Sequence, residues 1–383
     1  PFIISDLAEA FANAGHQTLL VDFEAEGLYS SVAPDAQALQ AAKIITLIKG
    51  FAPDFAFSYG MGGLISLPER MGGNVFEALK IPYLLLCYDS PIPLAAQFER
   101  LKSSELLRVL CWDRRYVKWL EAKGVKRILR QPLGTNARVF DSVKAGAGAG
   151  QGRVAFVGSL PGEALKRGLP GTPPLQAFAK TLVQLKLAEP CRPFRELIEA
   201  VQSALPPADG QAFESFKSTP GFQRYSDELM WLCDALYRRE SMCAIKDFKP
   251  LVFGGGAWLE SGLDGIEMQP GIRYGAELAN LYASASININ LSNSHLEGAV
   301  NQRPFDCAAA GGFLISDWRE DLPELFDPET EIPSFKTLPE LRELVARYSV
   351  DSAARSKMAA LAKKRSLSCH TWDIRAAEMA SWL

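Results

Sequence analysis

Arg303 and Asp306 stand three residues apart near the start of a short helical pattern. An arginine and a carboxylate at that spacing share one helix face. The planar fork of arginine suits two phosphate oxygens. Pro304 fits a first helical turn, where its missing N–H costs nothing, so Asp306 is expected in that turn beside open amides. A carboxylate there could accept two ribose hydroxyls, and the helix start could itself hold phosphate. Plainer alternatives exist: Asp306 offsets the helix dipole, worth about 0.3–1 kcal/mol, and Arg303 pairs at the surface with Asp306 or Glu297. His295 and Glu297 lie in the preceding loop. Glu297 could meet sugar hydroxyls, and His295 could donate to a phosphate or sugar oxygen. A loop-capping glutamate and a surface histidine fit equally. Asn290, Asn293 and Asn301 add hydrogen-bond partners, although asparagine is an ordinary turn residue.

The elements that must position these residues alternate strand and helix. Gln17–Phe23, Asp54–Tyr59, Tyr83–Cys87 and Leu106–Trp112 read as strands, with helices over Asp35–Lys49 and after Trp112 to about Lys123. Strands this apolar imply parallel sheets covered on both faces. The Leu7–Gly15 helix should follow a strand, so a missing first strand upstream of Pro1 is expected. Lys144–Gly152 is small and flexible, the clearest linker. Arg153–Gly158, Leu251–Gly254, Ala285–Leu291 and Phe313–Ser316 are the strands of a second domain, interrupted by a helical insert at about 163–243. The expected division is 1–143, 153–365 and a C-terminal helix in 366–383. Ligands of such folds sit at the carboxyl ends of strands.

Three further candidates follow strands. Gly60, Gly62 and Gly63 form a glycine-rich turn whose amides could approach a ligand. Asp89, in a turn before Pro91, could act as a base or bind a sugar hydroxyl, or simply close an Asx turn. Trp258, after Gly254–Gly256, could line a nucleobase pocket or be core.

Bulk properties exclude several classes. The chain has 383 residues, 48% hydrophobic and 22% charged, with a formal charge of -3. That length suggests two or three domains. The absence of a basic excess argues against nucleic acid as the main partner. No apolar run reaches the roughly 20 residues that span a bilayer. Seven scattered cysteines without a CxxC pair read as free thiols in a reducing cytoplasm, and three histidines offer no zinc spacing. No GxSxG elbow is present.

Across nearly the whole chain outside the insert, an ordered set of short motifs resembles the spore-maturation CgeB-like glycosyltransferases. The set comprises Pro53-Asp54, Cys87-Tyr88-Asp89-Ser90-Pro91, Leu133-Gly134-Thr135-Asn136 with Phe140, Phe156-Val157-Gly158-Ser159 and Tyr274…Leu278…Tyr282. It ends with Arg303, Phe305, Asp306, Gly311-Gly312 and Asp317, then His370-Thr371-Trp372…Arg375. The resemblance implies a GT-B fold: two Rossmann-like doubly wound domains and a C-terminal helix crossing back. It also implies metal-independent transfer, with no cofactor beyond a nucleotide-diphosphate sugar donor. Asp306 would hold the ribose; Arg303, with Asn301 and the helix start, would hold the diphosphate; Glu297 and His295 would face the donor sugar. Asp89 and the Gly60–Gly63 loop would face an unknown acceptor. Wider retaining enzymes of this fold carry Glu-x7-Glu. Asp306 fits the second acid, but Phe305 holds the strict spacing from Glu297, which leaves retention open. Lys166 and Arg167 are further candidates for the diphosphate. The alternatives are a sugar-nucleotide epimerase or a non-catalytic nucleotide-sugar-binding scaffold.

Overall fold

The computed structural model describes residues 2–22, 34–65, 67, 73–143 and 150–383, with side chains of 34–41 excepted. It is an α/β protein with two parallel sheets, as the apolar strand pattern requires. The expected linker lies mostly outside the described residues. Two compact units emerge: Pro1–Pro132 with Trp372–Leu383, and Leu133–Thr371.

The first unit holds strands β1 (Ala56–Tyr59), β2 (Tyr83–Cys87), β3 (Leu107–Cys111) and β4 (Ile128–Arg130), in the order β1-β2-β3-β4. Every residue of β2 is buried, as befits a central strand. Of the expected strand Gln17–Phe23, Phe23 lies outside the described residues, and Gln17–Asp22 forms no strand among the described residues. Residues 16–22 and 55–59 instead line one cavity of about 500 Å³ with the Phe2–Asn13 helix. The run carries no regular secondary structure, and Leu19 and Leu20 are exposed. The Trp372–Trp382 helix closes this unit. Gln131 Nε2 donates to Arg375 O at 3.1 Å, and Trp372 packs 6.3 Å from Tyr88.

The second unit holds β5 (Val154–Val157), β6 (Leu251–Phe253), β7 (Glu267–Gln269), β8 (Ile287–Asn290), β9 (Leu314–Asp317) and β10 (Ser334–Phe335). Their order is β10-β9-β8-β5-β6-β7, all parallel. The chain leaves β5 toward β6 and β7, then returns to place β8 on the other side. The carboxyl ends of β5 and β8 therefore form a topological switch point, where loops part and open a crevice. Residues 133–143 belong with this unit: Phe140 is fully buried against Tyr274 and Tyr282.

The insert between β5 and β6 is helical throughout: Gly162–Arg167, Pro173–Ala188, Phe194–Ser203, Pro207–Lys217 and Pro220–Ala244. It has its own core, with Phe178 stacked on Phe213 at 4.1 Å. The Pro220–Ala244 helix joins two cores. Tyr225, Leu229 and Cys233 pack within the insert, whereas Ala235, Tyr237 and Met242 pack against the sheet.

Candidate functional site

The loops after β5 and β8 define the site. Gly158 follows β5, and a Cβ there would lie 2.7 Å from Phe156 Cζ and 3.0 Å from Arg303 Nη2. A side chain there would press on the Phe156 ring and crowd the guanidinium. Arg303 sits over the Phe156 ring and donates through Nη1 to Asn290 Oδ1 at 3.4 Å and Leu291 O at 3.3 Å. These bonds are long. Among the described residues no carboxylate lies within ion-pair distance of Arg303, so the expected surface pairing with Asp306 or Glu297 is not formed. Burial pulls its pKa down.

Arg238 was not singled out by sequence reasoning. It lies on the insert's last helix, 3% exposed, and donates to Ser159 O and Asn293 Oδ1. Its Nε is buried without a partner. Burial lowers its pKa to about 10, and the nearby charge of Arg303 acts in the same direction. No local spacing could have announced it, because the fold alone brings it to the β8 loop.

The loop from Leu291 to Val300 is pinned along its length. Asp317 accepts from Ser292 N and Oγ, both at 2.9 Å, and pairs with Arg319 at 2.9 Å in full burial. Asp234 accepts from Ser294 N and Oγ. Glu297 is buried and grips Arg195 of the insert through both carboxylate oxygens. It therefore does not stand as an open acid toward a sugar. His295 is partly buried in the same loop. Asn301 caps the following helix by backbone geometry only, and its Oδ1 is buried without a partner.

Asp306 departs from its expected place. The helix runs Gln302–Ala309, which puts Pro304 third and Asp306 fifth, past the first turn. Its carboxylate is not offsetting a helix start. It is buried, and Oδ1 accepts from Thr135 Oγ1 at 2.8 Å and Gln302 Nε2 at 2.9 Å. Thr135 is fixed by the bond from its amide to His370 O and by pairing with Thr371. Ser366 Oγ donates to Phe305 O. The separated motifs around Thr135, Asp306 and His370 thus meet at one helix.

Trp258 is core, not a pocket wall. It is fully buried, donates Nε1 to Gly158 O at 2.7 Å and meets Phe156 edge-on. A ring enclosed on all sides has no face left for a base. Lys166 pairs with Glu163 and Glu260 at the surface.

Asp89, Gly60 and Gly62 belong to the first unit, at the ends of β2 and β1. Asp89 is exposed and accepts from Tyr59 OH at 2.9 Å. Burial, then Asp89, raises the Tyr59 pKa. Gly60 adopts φ 53°, and the turn folds inward so that Gly63 N donates to Ser58 Oγ at 2.8 Å. Among the described residues no group of three or more His, Cys, Asp or Glu could hold a metal, and no helix is long and apolar enough to cross a membrane.

Comparison with known proteins agrees with this architecture. Residues 231–381 match the family described as glycosyl transferase-like. No curated protein matches the chain. The fold is that of sucrose-phosphate synthase from Thermosynechococcus elongatus, with a TM-score of 0.55 and 12% identity over 99% of this chain and 91% of that one. A glycosyltransferase from Rickettsia africae gives 0.54 and 12% over 99% and 93%. Anabaena HepE, solved in complex with UDP-glucose, gives 0.51 and 10% over 92% and 84%. The fold is GT-B, and family match and fold together support a transferase of the glycosyltransferase class.

Proposed function

We propose that the protein moves a sugar from a nucleotide-diphosphate donor to an acceptor, using the crevice at the carboxyl ends of β5 and β8. The observation that carries this reading is Arg303. Its guanidinium is seated between the two switch-point loops, in a space cleared by Gly158, and among the described residues no carboxylate lies within ion-pair distance of it. A diphosphate is the anion whose paired oxygens match that fork. The leaving group of glycosyl transfer is a nucleoside diphosphate, and a fixed guanidinium stabilises the charge that develops on it. The UDP-glucose held by HepE, a protein of the same fold, supports a nucleotide sugar as the donor class.

In this reading, Asp306 receives the ribose hydroxyls on a carboxylate already oriented by Thr135 and Gln302. Glu297 sets the loop that carries His295 by holding Arg195, and His295 faces the donor sugar. Asn301 lies at the start of the same helix and supports the diphosphate. Asp89 and the Gly60–Gly63 turn are the candidates for acceptor contact. Charge stabilisation is assigned to side chains, so transfer is expected to survive chelation. We keep the CgeB-like group as the subfamily.

The test is a donor panel incubated with a mixed acceptor pool, read by mass spectrometry. Sugar appearing on an acceptor supports transfer. Donor converted to an isomeric donor without acceptor identifies an epimerase, and no donor consumption at all favours the scaffold.

A further inference from the structure

We propose that Arg238 is a second anion-holding residue of this site, so that the helical insert completes the donor crevice. The inference rests on the nucleotide-diphosphate reading above. Arg238 spans the switch point: one nitrogen donates to Ser159 O, after β5, and another to Asn293 Oδ1, after β8. Arg303 lies against Gly158 on the same pair of loops. Two guanidinium groups are thus held on the same pair of loops, that of Arg238 buried and that of Arg303 partly buried. Among the described residues neither has a carboxylate within ion-pair distance; the more distant charges of Asp234 and Asp317 act on Arg238 against the repulsion from Arg303, and that of Asp317 acts on Arg303 as well.

Burying like charges side by side is costly unless an anion joins them. Tying two loops together needs only hydrogen-bond donors, and a neutral side chain could do that. A diphosphate between the two guanidinium groups would offset their repulsion, and the partnerless Nε supplies one more donor. The long Pro220–Ala244 helix sets the position of Arg238 by packing on both cores. Binding of the diphosphate should therefore fix the insert as well.

The experiment is isothermal titration of the full chain with a nucleoside diphosphate, the matching nucleoside and inorganic pyrophosphate. Wild type is compared with Arg238→Gln and Arg238→Lys. The expected result is at least a tenfold loss of diphosphate affinity in Arg238→Gln, nucleoside affinity within twofold of wild type, and partial recovery in Arg238→Lys. Equal loss for nucleoside and diphosphate, or no loss for either, overturns the inference, because a purely structural arginine gives one of those results. Should Arg238→Gln fail to fold, Arg238→Lys decides by the same ratio of diphosphate to nucleoside affinity. If wild type binds pyrophosphate but no nucleotide, the donor reading fails while Arg238 is still judged on pyrophosphate. If wild type binds neither, both fail.

Discussion

Arg303 is the residue on which the donor reading turns, and its neighbours make specific demands. Removing its charge should cost about 1.5–3 kcal/mol of diphosphate binding, the range for hydrogen bonds to charged groups. Titration of Arg303→Gln is expected to show that loss with the fold intact. Gly158→Ala pushes a methyl group against Phe156 and Arg303. We expect about 1–3 kcal/mol of destabilisation, typical of overpacking, read as a lower denaturant midpoint. The placement of Arg303 and Asp306 on one helix was legible in the sequence because residues of one short helix declare their spacing. What the spacing could not give was where the helix begins. Asn301 caps it, so Asp306 falls past the first turn and meets Thr135 instead of open amides. The alternatives at Trp258 and Glu297 stayed open in the sequence for a related reason: their partners, Gly158 and Arg195, are distant in the chain, and only the fold sets burial.

At the scale of elements, strands with apolar residues on both faces were readable. β2 is buried over all five residues, and its bounds follow the apolar run Tyr83–Cys87. β4, β7 and β10 went unseen because they are short and partly exposed edge strands, with two or three residues and no apolar run. The insert read as helical, but its role did not. One helix serves both its own core and the sheet, and the same helix carries Asp234 and Arg238 to the β8 loop. That coupling predicts a graded response. Phe178→Ala removes a ring from the insert core and should destabilise by about 3–5 kcal/mol. If the insert and sheet unfold together, a single calorimetric transition moves downward. Asp317→Asn leaves Arg319 buried without its counter-charge and should cost about 3–5 kcal/mol, visible as a large fall in Tm.

The whole molecule holds two parallel-sheet units, which followed from apolar strands alternating with helices, and its fold is GT-B, which the family resemblance implied. Its seven cysteines are free; five are buried, while Cys243 and Cys369 are partly accessible. Burial pushes the Cys191 thiol up to about 11 and the Cys87 and Cys233 thiols up to about 12. Almost no thiolate exists at these sites at a pH of about 8, and access is closed. Alkylation of the native protein followed by peptide mapping should therefore mark Cys243 and Cys369 first, with the buried thiols reacting only on unfolding. The central claim is that a nucleotide diphosphate binds at the β5 and β8 loops of the second unit. Its most direct test is titration of wild type and Arg303→Gln with a panel of nucleoside diphosphates. The account predicts saturable binding of at least one of them by wild type and at least a tenfold weakening in the folded variant. Binding of none, or binding undiminished by the substitution, would contradict it.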